Sequence, residues 1–143
     1  MIRTPTPFVL TGLAAALMFA APAAQAEMMK FTADLKGASE VPPNDSAATG
    51  SAEVTVDTDA KKVTWTFKAD GLSGPATAAH MHGPASATES APPVIDVTGD
   101  TMTGSADITD AQWADLKAGK YYLNVHTEKF PDGEVRGQLE AAK

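Results

Sequence analysis

The sequence predicts an all-β protein, an antiparallel sandwich or barrel with one short helix. Three observations carry this. Short runs alternate apolar and polar side chains with a period of two, the mark of half-buried strands. Clusters of Gly and Pro separate these runs at fairly regular spacing, as they do between the strands of sandwiches and barrels. Only one segment, near residues 110–118, carries helix signals instead.

The chain of 143 residues opens on a segment of a different kind. Residues 1–26 carry one positive charge, at Arg3, followed by an apolar run over 8–21 that holds no ionisable side chain. Ala24 and Ala26 flank Gln25, the small-residue pattern that a signal peptidase accepts, so cleavage after Ala26 is expected. A membrane anchor would need ~20 apolar residues and no cleavage site. Residues 27–143 are then the mature protein, a single domain, expected in a periplasm or secreted.

Along that domain, Phe31, Ala33 and Leu35 share one face of the first predicted strand. Val54 and Val56 mark the second, and Val63, Trp65 and Phe67 the third, joined to it as a hairpin by a turn over 57–62. Ile95 and Val97 suggest a further strand. Residues 83–93, rich in Ala, Ser, Thr and Pro, read as a mobile surface loop. Thr109 is placed to cap the helix, Gln112 three residues on completes a capping box, Trp113 and Leu116 share a face, and Gly119 ends it. Next, Tyr121, Leu123 and Val125 alternate with Tyr122, Asn124 and His126. A turn through Pro131, Asp132 and Gly133 leads to a last strand over 134–140, with Val135 and Leu139 on one face.

Composition excludes several functions. The net charge is -7, and loss of the first 26 residues removes Arg3 but no acid, so the mature surface repels nucleic acid and anionic lipid. No partner of either kind is expected, nor any membrane contact after cleavage. With no cysteine there is neither a thiol nucleophile nor a disulfide, and either the core holds itself together or a bound ligand adds stability. No phosphate-binding glycine loop and no Gly-x-Ser-x-Gly elbow occurs. Asp57-Thr58-Asp59 lacks the glycine and closing glutamate of a calcium loop and reads as a turn. Asp132 and Glu134, at a turn, read as solvated carboxylates.

The chain has three histidines, and their placement is its most informative feature. His80 and His82 stand at i and i+2, which on a strand turns both imidazoles to one face. His126 comes from another strand, on the face opposite its apolar residues. Three imidazoles leave a coordination position open, which suits exchange or catalysis more than a closed structural site. Copper leads zinc, because affinity among divalent ions peaks at copper and an exported protein meets copper outside the buffered cytosol. Met81 points away from its flanking histidines, into the core. Met28 and Met29 are thioethers of the kind Cu(I) accepts, though apolar filler before the first strand explains them more simply.

These residues carry a resemblance. LKGASEVPP, GLSGPATAAHMHGPA and YYLNVHTEKFPDGEVRGQL occur in that order between Phe31 and Glu140, and the chain resembles the CHRD (chordin-type) domain family. Such domains occur in extracellular animal proteins and exported bacterial ones. More distantly, the same blocks are similar to Cu/Zn superoxide dismutase, a Greek-key β-barrel. That resemblance implies copper ligation by His80, His82 and His126, and an anion-attracting role for Arg136. It also marks departures: no histidine remains for a copper–zinc bridge, and no cysteine for that family's disulfide. Without the resemblance, Arg136 reads equally well as half of an exposed ion pair on the last strand. Three functions are therefore expected in order: copper sequestration, delivery or tolerance; a copper-only dismutase-like enzyme; and a metal-free extracellular interaction module.

Overall fold

A computed structural model describes residues 27–99 and 102–143; the expected signal peptide lies outside them. Nine strands among the described residues form one antiparallel sheet: β1 (Met28–Lys36), β2 (Thr49–Asp57), β3 (Lys62–Asp70), β4 (Ala76–His82), β5 (Pro93–Asp96), β6 (Thr103–Asp107), β7 (Tyr122–Thr127), β8 (Val135–Gln138) and β9 (Glu140–Ala141). Their order is β5-β4-β7-β8-β1-β2-β3-β6, with the short β9 also on β1, and the sheet nearly closes into a barrel. β8 returns beside β1 after a long excursion, as the last strand of a Greek key does. No helix among the described residues is long and apolar enough to cross a membrane.

The period-two runs form the wall. Phe31, Ala33 and Leu35 on β1, Val54 and Val56 on β2, and Val63, Trp65 and Phe67 on β3 all face one apolar cluster. Ala79 and Met81 on β4, Leu123 and Val125 on β7, and Val135 join it from the other side. Burying a side chain of this size contributes about 1.5–3 kcal/mol. One continuous cluster of this kind is how a cysteine-free domain holds together. The β2–β3 hairpin pairs Asp57 with Lys62 across its turn, as the sequence predicts.

The helix α1 (Asp110–Lys117) starts as its sequence dictates. Thr109 Oγ1 accepts from the Gln112 amide at 3.1 Å, and Gln112 Oε1 accepts from the Thr109 amide at 2.9 Å. Gly119, at φ 71°, takes the left-handed conformation that ends the helix. Leu116 anchors α1 in the core.

One alternative closes here and one expectation changes. Met28 and Met29 do not stand near the histidines. They begin β1, opposite Asp57 and Val56, whereas His80 shares a cross-sheet row with Lys36 through Asn124 and Arg136. Eight residues of strand put Met28 about 26 Å along β1 from that row. Residues 83–92 do form a loop, but it is strapped down over the outside of the wall by hydrogen bonds along its length.

Candidate metal centre

Alternation along β4 sends Ala79 and Met81 inward, so His80 and His82 project from the outer face of the wall. β7 is the neighbour that completes the set. His80 pairs with Asn124, His82 with Tyr122, and Ala78 with His126, which sets the third imidazole diagonally across from His80. Every residue of β7 is buried, because loops cover its outer face as the core covers the inner one.

One ring nitrogen from each of His80, His82 and His126 lies within 4.8 Å of the other two. His80 Nδ1 and His126 Nε2 are 3.1 Å apart. Two nitrogens bound to one ion at ~2.1 Å are at most about 4.2 Å apart. The close pair already satisfies that limit; the 4.8 Å spread of the set exceeds it, so binding one ion requires the rings to draw closer together.

Backbone carbonyls decide how two of the rings present themselves. His82 Nδ1 lies 2.8 Å from the Ala91 oxygen and His126 Nδ1 2.9 Å from the Pro131 oxygen. A carbonyl only accepts, so each Nδ1 carries the proton and each Nε2 keeps its lone pair. His82 Nε2 is buried with no hydrogen-bond partner. Burial pushes the pKa of both His82 and His126 below the ordinary imidazole value, against the opposing pull of their carbonyl bonds. Both rings are therefore neutral at pH 7, the state a metal ligand requires.

A buried polar layer supports the rings. Tyr122 stacks on His82 with centroids 4.8 Å apart and planes within 4°. Asn124, 2% exposed, donates to the Asp132 carbonyl at 3.4 Å, while its Oδ1 has no partner. Its amide lies between Glu40 and His82 and favours the charged form of each. Even so, Glu40 Oε1 lacks a well-formed hydrogen bond, and burial raises the Glu40 pKa to about 7 although Arg136 opposes the rise. Gly133 makes this crowding workable: at φ 129°, a Cβ there would stand 2.5 Å from Glu40 Oε1 and 2.6 Å from Asn124 Nδ2.

Arg136 is not part of an exposed ion pair. It is 2% exposed, its Nη2 donates to the carbonyls of Ser86 and Glu89 at 3.0 and 2.7 Å, and its guanidinium lies 3.4 Å from the Tyr122 ring centroid. Glu134 is not solvated either. Its carboxylate, 1% exposed, accepts from Ser46 Oγ, Ser73 N, Ser73 Oγ and Thr127 Oγ1. The sequence pointed to the three histidines but not to Glu40, Tyr122 or Asn124 as their surroundings. Asn124 and Tyr122 share the His126 face of β7 by simple alternation, a signal that was there to be used. Glu40 sits just beyond β1 with no pattern to mark it.

A nearly closed antiparallel β-barrel, carrying three convergent imidazoles outside its wall and under a strap, is the class of protein this geometry defines. The chain belongs to the CHRD domain family, whose model matches residues 31–139. No curated protein and no solved structure matches it significantly.

Proposed function

We propose that the protein binds a transition-metal ion, copper ahead of zinc, through His80, His82 and His126, and serves copper sequestration, delivery or tolerance outside the cytoplasm. One observation carries this reading: three ring nitrogens converge, and two of the rings have their protons tied outward to backbone carbonyls. The buried Nε2 of His82, which makes no well-formed hydrogen bond, adds to it. The chemistry of the donors suits the ion, because imidazole accepts copper and zinc alike and the divalent affinity order favours copper. The apolar run and small-residue site in residues 1–26 support export.

Binding is preferred to dismutase-like catalysis on electrostatic grounds. Arg136 is the cation an incoming superoxide would need. Its guanidinium is spent on strap carbonyls and is almost wholly covered, in a chain of net charge -7.

Titration of residues 27–143 with Cu(II), followed by electron paramagnetic resonance, tests the reading. The expected spectrum shows coupling to three imidazole nitrogens, lost in the triple His→Ala variant. A spectrum without nitrogen coupling, or one unchanged by the triple substitution, overturns it.

A further inference from the structure

We propose that Arg136 is the positioning residue of this centre: it fixes the strap over residues 83–92, and through the strap and Tyr122 it fixes the ring of His82. The consequence for metal affinity rests on the reading above; the consequence for the His82 ring does not.

Beside the amide of Asn124, two contacts set the His82 ring from outside the histidine cluster. One is the bond from Nδ1–H to the Ala91 carbonyl, and the other is the stack on Tyr122. Both lead to Arg136. Ala91 belongs to the strap, which is tied at intervals. Gly83 N donates to the Pro92 oxygen at 3.3 Å and closes the base. Ala85 is held by Lys120 and Gln138. The far end is held by the Tyr122 hydroxyl, 3.2 Å from both the nitrogen and the oxygen of Ala91.

Between these ties stands a turn in which Glu89 N donates back to the Ser86 oxygen at 3.2 Å and the Glu89 carboxylate accepts from Ser86. A single nitrogen, Arg136 Nη2, bonds the Ser86 and Glu89 carbonyls and so clamps both ends of that turn to β8. Ala91, the partner of His82, follows two residues later. Between Ser86 and Ser90, a further side-chain tie to the rest of the described residues is Ser90 Oγ to the Val41 oxygen at 3.4 Å, near the limit for a hydrogen bond.

The second route is direct stacking. β4 and β8 flank β7 on opposite sides, so the Tyr122 ring lies between the guanidinium, at 3.4 Å, and the His82 imidazole, at 4.8 Å. A planar, permanently charged group that stacks and donates at once is what Arg supplies and Lys does not. His126 is held separately, by Pro131 in the β7–β8 loop, so the influence of Arg136 falls selectively on His82.

The test begins on metal-free protein, with the histidine ring nitrogens observed by 15N NMR. In the unsubstituted protein both His82 and His126 are expected as Nδ1–H tautomers. In Arg136→Gln and Arg136→Lys, His82 moves to a mixture of tautomers while His126 keeps its own. Added Cu(II) then binds about 10–100-fold more weakly, the cost of losing a group that orients a ligand, and its spectrum loses coupling to one nitrogen. Arg136→Met, an apolar filler of similar length, stands in for either variant that fails to fold. Arg136→Lys protein with an unchanged His82 tautomer and unchanged Cu(II) affinity overturns the proposal. Because the tautomer is read without metal, an unsubstituted protein that ignores Cu(II) defeats the metal reading and leaves the role of Arg136 to be decided by the ring nitrogens.

Discussion

Glu40 and Glu134 are both buried carboxyls, and their surroundings drive them in opposite directions. Burial alone raises each. At Glu134 four hydrogen bonds outweigh it and hold the group below its ordinary value, so the carboxylate stays charged. At Glu40 nothing comparable is made, and the pKa rises from 4.5 to about 7. The native state then keeps a proton on Glu40 that the unfolded chain has lost, so this group makes stability fall as pH rises from about 4.5 to about 7. Glu40→Gln, which resembles the protonated acid, is expected to match the unsubstituted protein near pH 4.5 and to exceed it at pH 7.5 by up to about 3 kcal/mol, as measured by urea unfolding at both pH values. Equal differences at the two pH values would show that Glu40 does not titrate in this way. Neither carboxyl was legible in the sequence. Glu134 stands beside a turn and alternates with Arg136 and Gln138, the usual signature of a solvated face. What satisfies it is the convergence of Ser46 and Ser73, from distant parts of the chain, with Thr127 across the turn, which no local pattern records.

Elements were legible wherever local chemistry alone determines them. The helix α1 was readable to its capping box because Thr109, Gln112 and Gly119 each satisfy a terminal backbone group within a few residues. Thr109→Ala is expected to cost about 1 kcal/mol and to lower the melting temperature by a few degrees in a calorimetric scan. Cu(II) affinity should stay unchanged, since α1 gives the core Leu116 and gives the histidines nothing. By contrast β6, Thr-Gly-Ser-Ala-Asp, was invisible. It ends the sheet, its side chains are mostly exposed, and only pairing with β3 makes it a strand. Strand edges of this kind carry no apolar rhythm. The 83–92 strap was recognised as a loop but not as an anchored one, because its composition describes the loop while its anchors lie on β7, β8 and the Lys120 carbonyl.

For the whole molecule, period-two alternation foretold the all-β class, whereas the pairing of β4 with β7, on which the histidine cluster depends, belongs to topology and not to any stretch of sequence. An ion bound only by the native state stabilises all of it. Cu(II) at a hundred times its dissociation constant should add about 2.7 kcal/mol, a rise of roughly 10 °C in melting temperature for a domain of this size. No shift with either Cu(II) or Zn(II) would leave the metal-free interaction module as the better reading. The gain should shrink below about pH 6.5, where the ion must compete with protons for the imidazoles. Without metal, His82 and His126 act in the same direction. Their native pKa values are depressed, so below the unfolded value near 6.5 the unfolded chain takes up protons that the native state resists, and stability falls as the pH drops toward the native values. The cluster stands outside the barrel wall, while the residues that hold the wall together face inward. The imidazoles and the apolar core thus lie on opposite sides of one wall: a lineage built on this scaffold can exchange a histidine one substitution at a time without repacking its apolar cluster.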